Sequence, residues 1–218
     1  MRDRKEILQT ALRAYDIEAE AILLARNAIQ QDHFFRAVEA LAHAPRIAAS
    51  GCGHSGIGCR HFAHLMCCIE RPARFISPAE AVHGGMGYLQ SGDVMLLASR
   101  GGKTKELLPI LEICRKKGVI VIAATENLES PIARQADIVL PTPVTMETDR
   151  YNSQSTTSFT VLSVLFHALQ AALIVATDYQ NEQFALIHPG GAVGERLNAA
   201  NESIGIPMSD NHPEAHHD

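Results

Sequence analysis

The chain is short of positive charge. Lys and Arg number 19 against 24 Asp and Glu, a formal net charge of −5, which argues against a general nucleic-acid surface or an acidic-membrane surface, both of which need an excess of cations. Any anionic ligand must be held locally. No uninterrupted apolar run approaches the ~18 residues that suggest a membrane span, and the start Met1-Arg2-Asp3-Arg4-Lys5-Glu6 lacks the apolar stretch of a secretory signal. The expected location is the cytoplasm, with no membrane partner. There is no internal repeat, no linker-like stretch, and no basic helix-turn-helix with its own core ahead of the first loop, so no nucleic-acid partner is expected.

Disulfides are equally unpromising. The five cysteines, Cys52, Cys59, Cys67, Cys68 and Cys114, are odd in number and crowded mostly into one stretch, so reduced thiols are expected. Cys52, Cys59, His61 and His64 admit a zinc reading, but a structural zinc site usually draws paired ligands from two separate elements. The preferred reading makes Cys59, Cys67 and Cys68 small packing residues of a buried helix, with His61 and His64 at its edge.

What is present fits one globular domain: 218 residues with 46% hydrophobic content bury a sizeable core. Ile7, Leu8, Leu12, Ile17, Ile22, Leu23 and Ile29 recur at three- and four-residue steps, which predicts a long leading helix over 4–31 and a second, short one over 34–42. Strand-like runs follow at 47–50, 74–76, 94–98, 119–123 and 138–140. Helical segments near 57–69, 105–117 and 155–176 alternate with several of them, which predicts an α/β three-layer αβα sandwich around a five-stranded parallel sheet. The expected organisation is N-terminal helices over 1–45, the sandwich over 46–198, and a polar tail over 199–218.

Two strand-to-loop junctions carry the chemistry: Ser50-Gly51-Cys52-Gly53-His54-Ser55-Gly56 and Ser99-Arg100-Gly101-Gly102-Lys103-Thr104. Each closes an apolar run with glycines and hydroxyls and then opens a helix, so backbone N–H groups and the positive helix end face the loop. In a sheet of order 2-1-3-4-5 these loops follow the two strands flanking the winding reversal and converge on one site, although about fifty residues separate them. A phosphate-sized anion suits such a place.

These loops, the stretch Ser77-Pro78-Ala79-Glu80-Ala81-Val82-His83-Gly84, and His188-Pro189-Gly190-Gly191-Ala192-Val193-Gly194 together resemble a sugar isomerase (SIS) domain over about 47–197, specifically its arabinose 5-phosphate isomerase branch. The resemblance implies the flavodoxin-like sandwich and a homotetramer, or dimer, with sites shared between subunits. It implies a sugar phosphate as ligand and no required cofactor. A regulatory pair of CBS domains usually follows the His-Pro-Gly-Gly segment in that branch; about twenty residues follow here, and the pair is expected to be absent.

Two positions depart from the branch: His54 stands where it carries Lys, and Lys103 where it carries Glu. The second loop also lacks one hydroxyl of the usual Ser-x-Ser-Gly, for which Arg100 or Lys103 compensates by charge if either points inward. Aldose–ketose isomerisation moves a proton between C1 and C2 through an enediol and needs a second group for ring opening and oxygen-proton shuttling. The resemblance implies His188 for the shuttle and Glu147, nearest equivalent of a glutamate after the fifth strand, as base, with His54 as a third catalytic candidate. Substrate contacts are expected from Gly51, Gly53, Ser55, His83, Ser99, Lys103, Thr104, Ser155 and Thr156. A zinc site built from His54, His83 and His188 is the less favoured alternative. The expected activity is aldose–ketose isomerisation of a sugar phosphate; the competing expectation is a non-catalytic phosphosugar sensor.

Overall fold

The computed structural model describes residues 3–192 and 194–196. They form two units, one ending at Asp178 and a second beginning at Tyr179; the expected tail over 199–218 lies outside the described residues.

The first unit opens with α1 (Arg4–Asn27) and α2 (Gln31–His43). The predicted first helix thus stops earlier than its apolar repeat, at Ala28, whose amide bonds back to the last turn. The strands are β1 (Ile47–Gly51), β2 (Ala73–Phe75), β3 (Val94–Ala98), β4 (Ile120–Thr125) and β5 (Ile138–Pro141). All pair in parallel in the order β2-β1-β3-β4-β5, which is the predicted sheet. β1 and β3 are buried throughout, as expected of central parallel strands covered on both faces.

Between the strands lie α3 (Gly53–Cys67), the one-turn α4 (Pro78–Ala81), α5 (Leu108–Lys117) and α6 (Pro131–Gln135), and after β5 comes α7 (Thr157–Ala176). α3 and α7 pack against each other, Phe62 meeting Phe166 with ring centroids 4.9 Å apart, and α1 and α2 pack on α7. On the opposite face Ala48, Met95, Leu97, Val121 and Ala123, alternate residues of three strands, share a core with Leu107, Ile110, Leu111 and Cys114 around α5. Far from the loops, the buried Asp93 accepts from Arg46 Nε at 2.9 Å, Arg46 N at 3.1 Å and Gln90 N at 2.6 Å, fastening the starts of β1 and β3 together.

α7 bears on the expectation of no membrane span. It is long and apolar enough, by length and composition, to cross a membrane, with a mean hydropathy of 2.0 over its apolar window. Thr160, Ser163, His167 and Gln170 interrupt its apolar run, as the sequence reading has it, while leaving the average high. In this fold the helix buries Val161, Leu162, Phe166, Leu169 and Leu173 within the unit.

The cysteines are free. Cys59 is buried, its thiol giving a hydrogen bond to Ser50 O, and burial pushes its pKa up to about 12. Cys67, read as a packing residue, is exposed: its thiol lies at the sheet's edge, giving a hydrogen bond to Ala73 O at the start of the edge strand β2.

The second unit holds α8 (Asn181–Ile187), opened by a reciprocal cap between Gln180 and Gln183. His188 ends it, stacked on Phe184 with centroids 4.0 Å apart.

Candidate functional site

The parallel register sets Gly51 beside Ala98, so the loops after β1 and β3 leave the sheet as neighbours at the point where its winding reverses. Close packing explains the glycines. A Cβ on Gly56 would lie 2.6 Å from Gly51 O, and one on Gly51 2.9 Å from the Ser55 carbonyl carbon, so α3 starts almost in contact with the strand that feeds it. Its N-cap, Cys52, supplies no side-chain bond, which leaves the first-turn amides of Gly53, His54 and Ser55 directed at the loop.

A cleft lies above these strand ends, lined by His54, Ser55, Ser99, Arg100, Ala124, Thr142, Ser155, Ser158, Phe159 and Leu162. Ligand sites favour such a switch point. Ser99 is buried; its hydroxyl shares a 2.8 Å hydrogen bond with Thr104 Oγ1 and accepts from Gly102 N at 3.1 Å. His54 meets Phe159 edge-on, centroids 6.2 Å apart. Ser155 and Ser158 reach the cleft from the start of α7. Thr156 turns away, its hydroxyl donating to Glu147 Oε2 at 3.2 Å and accepting from Thr148 N at 3.0 Å.

Of the two cations offered by the second loop, Arg100 lines the cleft and Lys103 is exposed to solvent away from it. Thr125 Oγ1 and Glu126 N both donate to Arg100 O, at 2.8 and 3.0 Å, pinning its main chain. Its guanidinium bridges two carboxylates: Nε donates to Glu126 Oε2 at 2.9 Å and Nη1 to Glu147 Oε1 at 2.6 Å.

Glu147 is completely buried. Its Oε2 accepts from Thr156 N at 2.9 Å and Ser158 N at 3.1 Å, so this carboxylate caps α7 in place of the N-cap side chain, which makes no such bond. Burial pushes its pKa up; the hydrogen bonds from Ser158 and Thr156 and the charge of Arg100 outweigh that and hold the carboxyl below its usual range.

The other expected contacts are spread apart. Gly51 and Gly53 line a second groove with Arg60, Phe75, Ser77 and Glu106, where the Arg60 guanidinium lies 4.0 Å from the Phe75 ring centroid. Neither Arg60 nor Glu106 was singled out from the sequence; Glu106 sits one turn past Thr104, close enough to the glycine loop that its charge adds to burial in raising the Cys52 thiol pKa. His83 is exposed in a third groove with Ala79, Glu80 and Gly85. His188 belongs to the second unit, where its buried Nδ1 has no hydrogen-bond partner among the described residues. No group of three or more His, Cys, Asp or Glu gathers as a metal centre among the described residues. Within one chain His54 and His83, two members of the zinc alternative, line separate grooves.

Comparison with known proteins agrees with this geometry. The SIS domain profile matches residues 40–172. The arabinose 5-phosphate isomerase KdsD of Pseudomonas aeruginosa is 37% identical over 200 residues, 90% of this chain and 60% of that protein. GutQ of Salmonella typhimurium, of the same description, is 36% identical over 167 residues, 76% and 52% respectively. The chain therefore spans little more than half the length of these curated relatives. Among solved structures, a Listeria monocytogenes protein described as a candidate sugar-phosphate isomerase superposes with a TM-score of 0.84 at 38% identity, covering 87% of this chain and all of that one. An Escherichia coli CFT073 protein in complex with arabinose 5-phosphate gives 0.80 at 26%, covering 86% and 100%. With the profile spanning more than half of its residues and the sheet order and loop placement to match, the chain belongs to the SIS domain family.

Proposed function

We propose that this protein is an aldose–ketose isomerase of a sugar phosphate, acting in the cytoplasm as a homo-oligomer, a tetramer or dimer, of the arabinose 5-phosphate isomerase type. The observation that carries the reading is the convergence, at the switch point of the sheet, of an uncapped helix start, the hydroxyls of Ser55, Ser99, Ser155 and Ser158, and a single guanidinium. That donor set suits a phosphate dianion: amides and hydroxyls supply directed hydrogen bonds, and Arg100 supplies the charge that an otherwise acidic chain withholds. The relatives named for arabinose 5-phosphate, and the neighbour bound to it, support a pentose 5-phosphate.

In the mechanism we infer, Glu147 accepts the C2 proton of the open-chain aldose, leaving an enediolate, and returns it to C1. His188 opens the ring and moves the oxygen protons, and His54 stands by the sugar oxygens. C2 is oxidised and C1 reduced by the same electron pair, so the step needs no external oxidant, reductant or redox cofactor. The phosphate is held by Ser55, Ser99 and Arg100, with Thr104 fixing the Ser99 hydroxyl. Gly51 and Gly53 shape the loop that carries Ser55, while His83 and Lys103, which lie outside this cleft, would reach a sugar held in the cleft of another subunit.

Proton NMR of a panel of pentose and hexose phosphates in deuterated water tests this. Deuterium entry at C1 or C2 together with the appearance of the isomer is the expected result. A second reading, the non-catalytic sensor, has one observation in its favour: Glu147 is fully buried with both oxygens engaged. Phosphosugar binding without exchange across the panel would select it.

A further inference from the structure

The two oxygens of Glu147 are held differently. Oε2 takes three donors, Thr156 N, Thr156 Oγ1 and Ser158 N, all from the rigid start of α7. Oε1 takes Arg100 Nη1, whose side chain is one-third exposed and lines the cleft. One edge of the carboxylate is anchored and the other lies under a movable lid of positive charge. The loop beneath it is held separately: Thr125 and Glu126 donate to the Arg100 carbonyl, so the planar guanidinium can turn as a unit and change partners without releasing the loop.

A fully buried carboxylate is costly unless paired, and one whose partner is already engaged is a poor base. A phosphate dianion offers Arg100 more charge and a matching fork of oxygens. From this geometry we propose that Arg100 is exchanged between two anions during turnover: it covers Glu147 Oε1 until the substrate phosphate takes the guanidinium, and only then is Oε1 uncovered as the base. The proposal rests on the isomerase reading and deepens it. The phosphate becomes a trigger as well as a handle, so an unphosphorylated sugar of the same shape meets a covered carboxylate and loses turnover, not only affinity.

The exchange has an electrostatic signature. Glu147 is faced by Arg100 from the loop after β3, with Glu126 behind it at the end of β4, by Thr156 and Ser158 from α7, and by Asn152 from its own segment through the Glu147 amide; His54 from α3 lines the cleft that Arg100 also lines. Arg100 is the one full cation in this set. When its charge is drawn to a phosphate, the proton affinity of Glu147 rises.

A carbon-detected NMR titration of the glutamate carboxyls, with and without inorganic phosphate, tests this without turnover. Glu147 is assigned by the resonance lost in Glu147→Gln, or through side-chain correlations in the wild-type chain should that variant not fold. The expected result is a Glu147 midpoint raised by about one pH unit by phosphate, roughly a tenfold gain in proton affinity. In Arg100→Gln the midpoint should already be raised and insensitive to phosphate. Phosphate that perturbs the Ser55 and Ser99 amides while leaving Glu147 in place overturns the proposal, and so does phosphate that fails to bind. A phosphate-sensitive Glu147 in a chain inert toward the whole sugar phosphate panel would keep the exchange and sink the isomerase reading.

Discussion

Gly102 stands where the loop after β3 meets the one after β4. Its φ is +62°, and a Cβ there would collide with the Oγ and Cβ of Ser130. Ser130 cannot give way, because it is fully buried and its hydroxyl accepts from Ala133 N at 3.2 Å to cap α6. Gly102→Ala should therefore destabilise the chain by about 2 kcal/mol, read as an earlier urea midpoint, and displace the Ser99 hydroxyl that Gly102 N supports. At the same scale His188→Ala should lose turnover while retaining much phosphate-dependent binding, measured by kcat beside the inhibition constant of inorganic phosphate. Equal loss of both would count against the proposed division of labour. Residue identity was legible in the sequence wherever backbone geometry demanded it, as at Gly51 and Gly56. It was not legible at Arg100 and Lys103, since two cations three residues apart in one loop read alike until the turn at Gly102 sends one inward and the other to solvent. Glu147 was visible as a carboxylate after the fifth strand, but its burial and its capping of α7 depend on a fold-back of the chain that no spacing encodes.

At the scale of elements, the segment between β5 and α7 is organised by two carboxylates rather than by regular structure. Glu147 holds the start of α7, and Asp149 accepts from Tyr151 N, Ser153 N and Gln154 N at 2.8–2.9 Å. Backbone hydrogen bonds, that from Gln154 foremost, hold the Asp149 carboxyl below its usual range, as the α7 amides and Arg100 hold that of Glu147 against its burial. Groups with depressed folded-state values contribute stability that is present above their unfolded values, about 4, and is lost as pH falls through the folded ones. The segment should accordingly hold at neutral pH and loosen below about pH 4. The amide protons of Gln154, Thr156 and Ser158 should move upfield as their carboxylates protonate, with midpoints below those of the same carboxyls in the unfolded chain; midpoints at or above the unfolded values would contradict it. Long elements were readable from apolar alternation and its 3.6-residue counterpart, and β3 fell on its predicted bounds. The short α4 and α6 were not, because one turn is too brief for periodicity; each is set instead by a proline at its start.

For the molecule as a whole, the informative feature is what a single chain leaves uncovered. Leu8, Leu12 and Tyr15, at i, i+4 and i+7 on one face of α1, are 60%, 55% and 78% exposed. Leu23 and Leu24 continue the apolar surface along the same helix at 55% and 39%. Apolar side chains aligned on one helix face mark an interaction surface more often than chance scatter does. A homo-oligomer that covers this face fits the proposed assembly, and it separates two effects within one experiment. Leu8→Asp with Leu12→Asp changes no residue of the cleft and leaves the Asp3 cap of α1 in place, so the fold should persist by circular dichroism while light scattering reports a smaller particle. If sites are completed across subunits, turnover should fall with the particle size and return at high protein concentration. A variant of unchanged size would place the contacts elsewhere, and a smaller particle with full activity would make the cleft above β1 and β3 sufficient on its own.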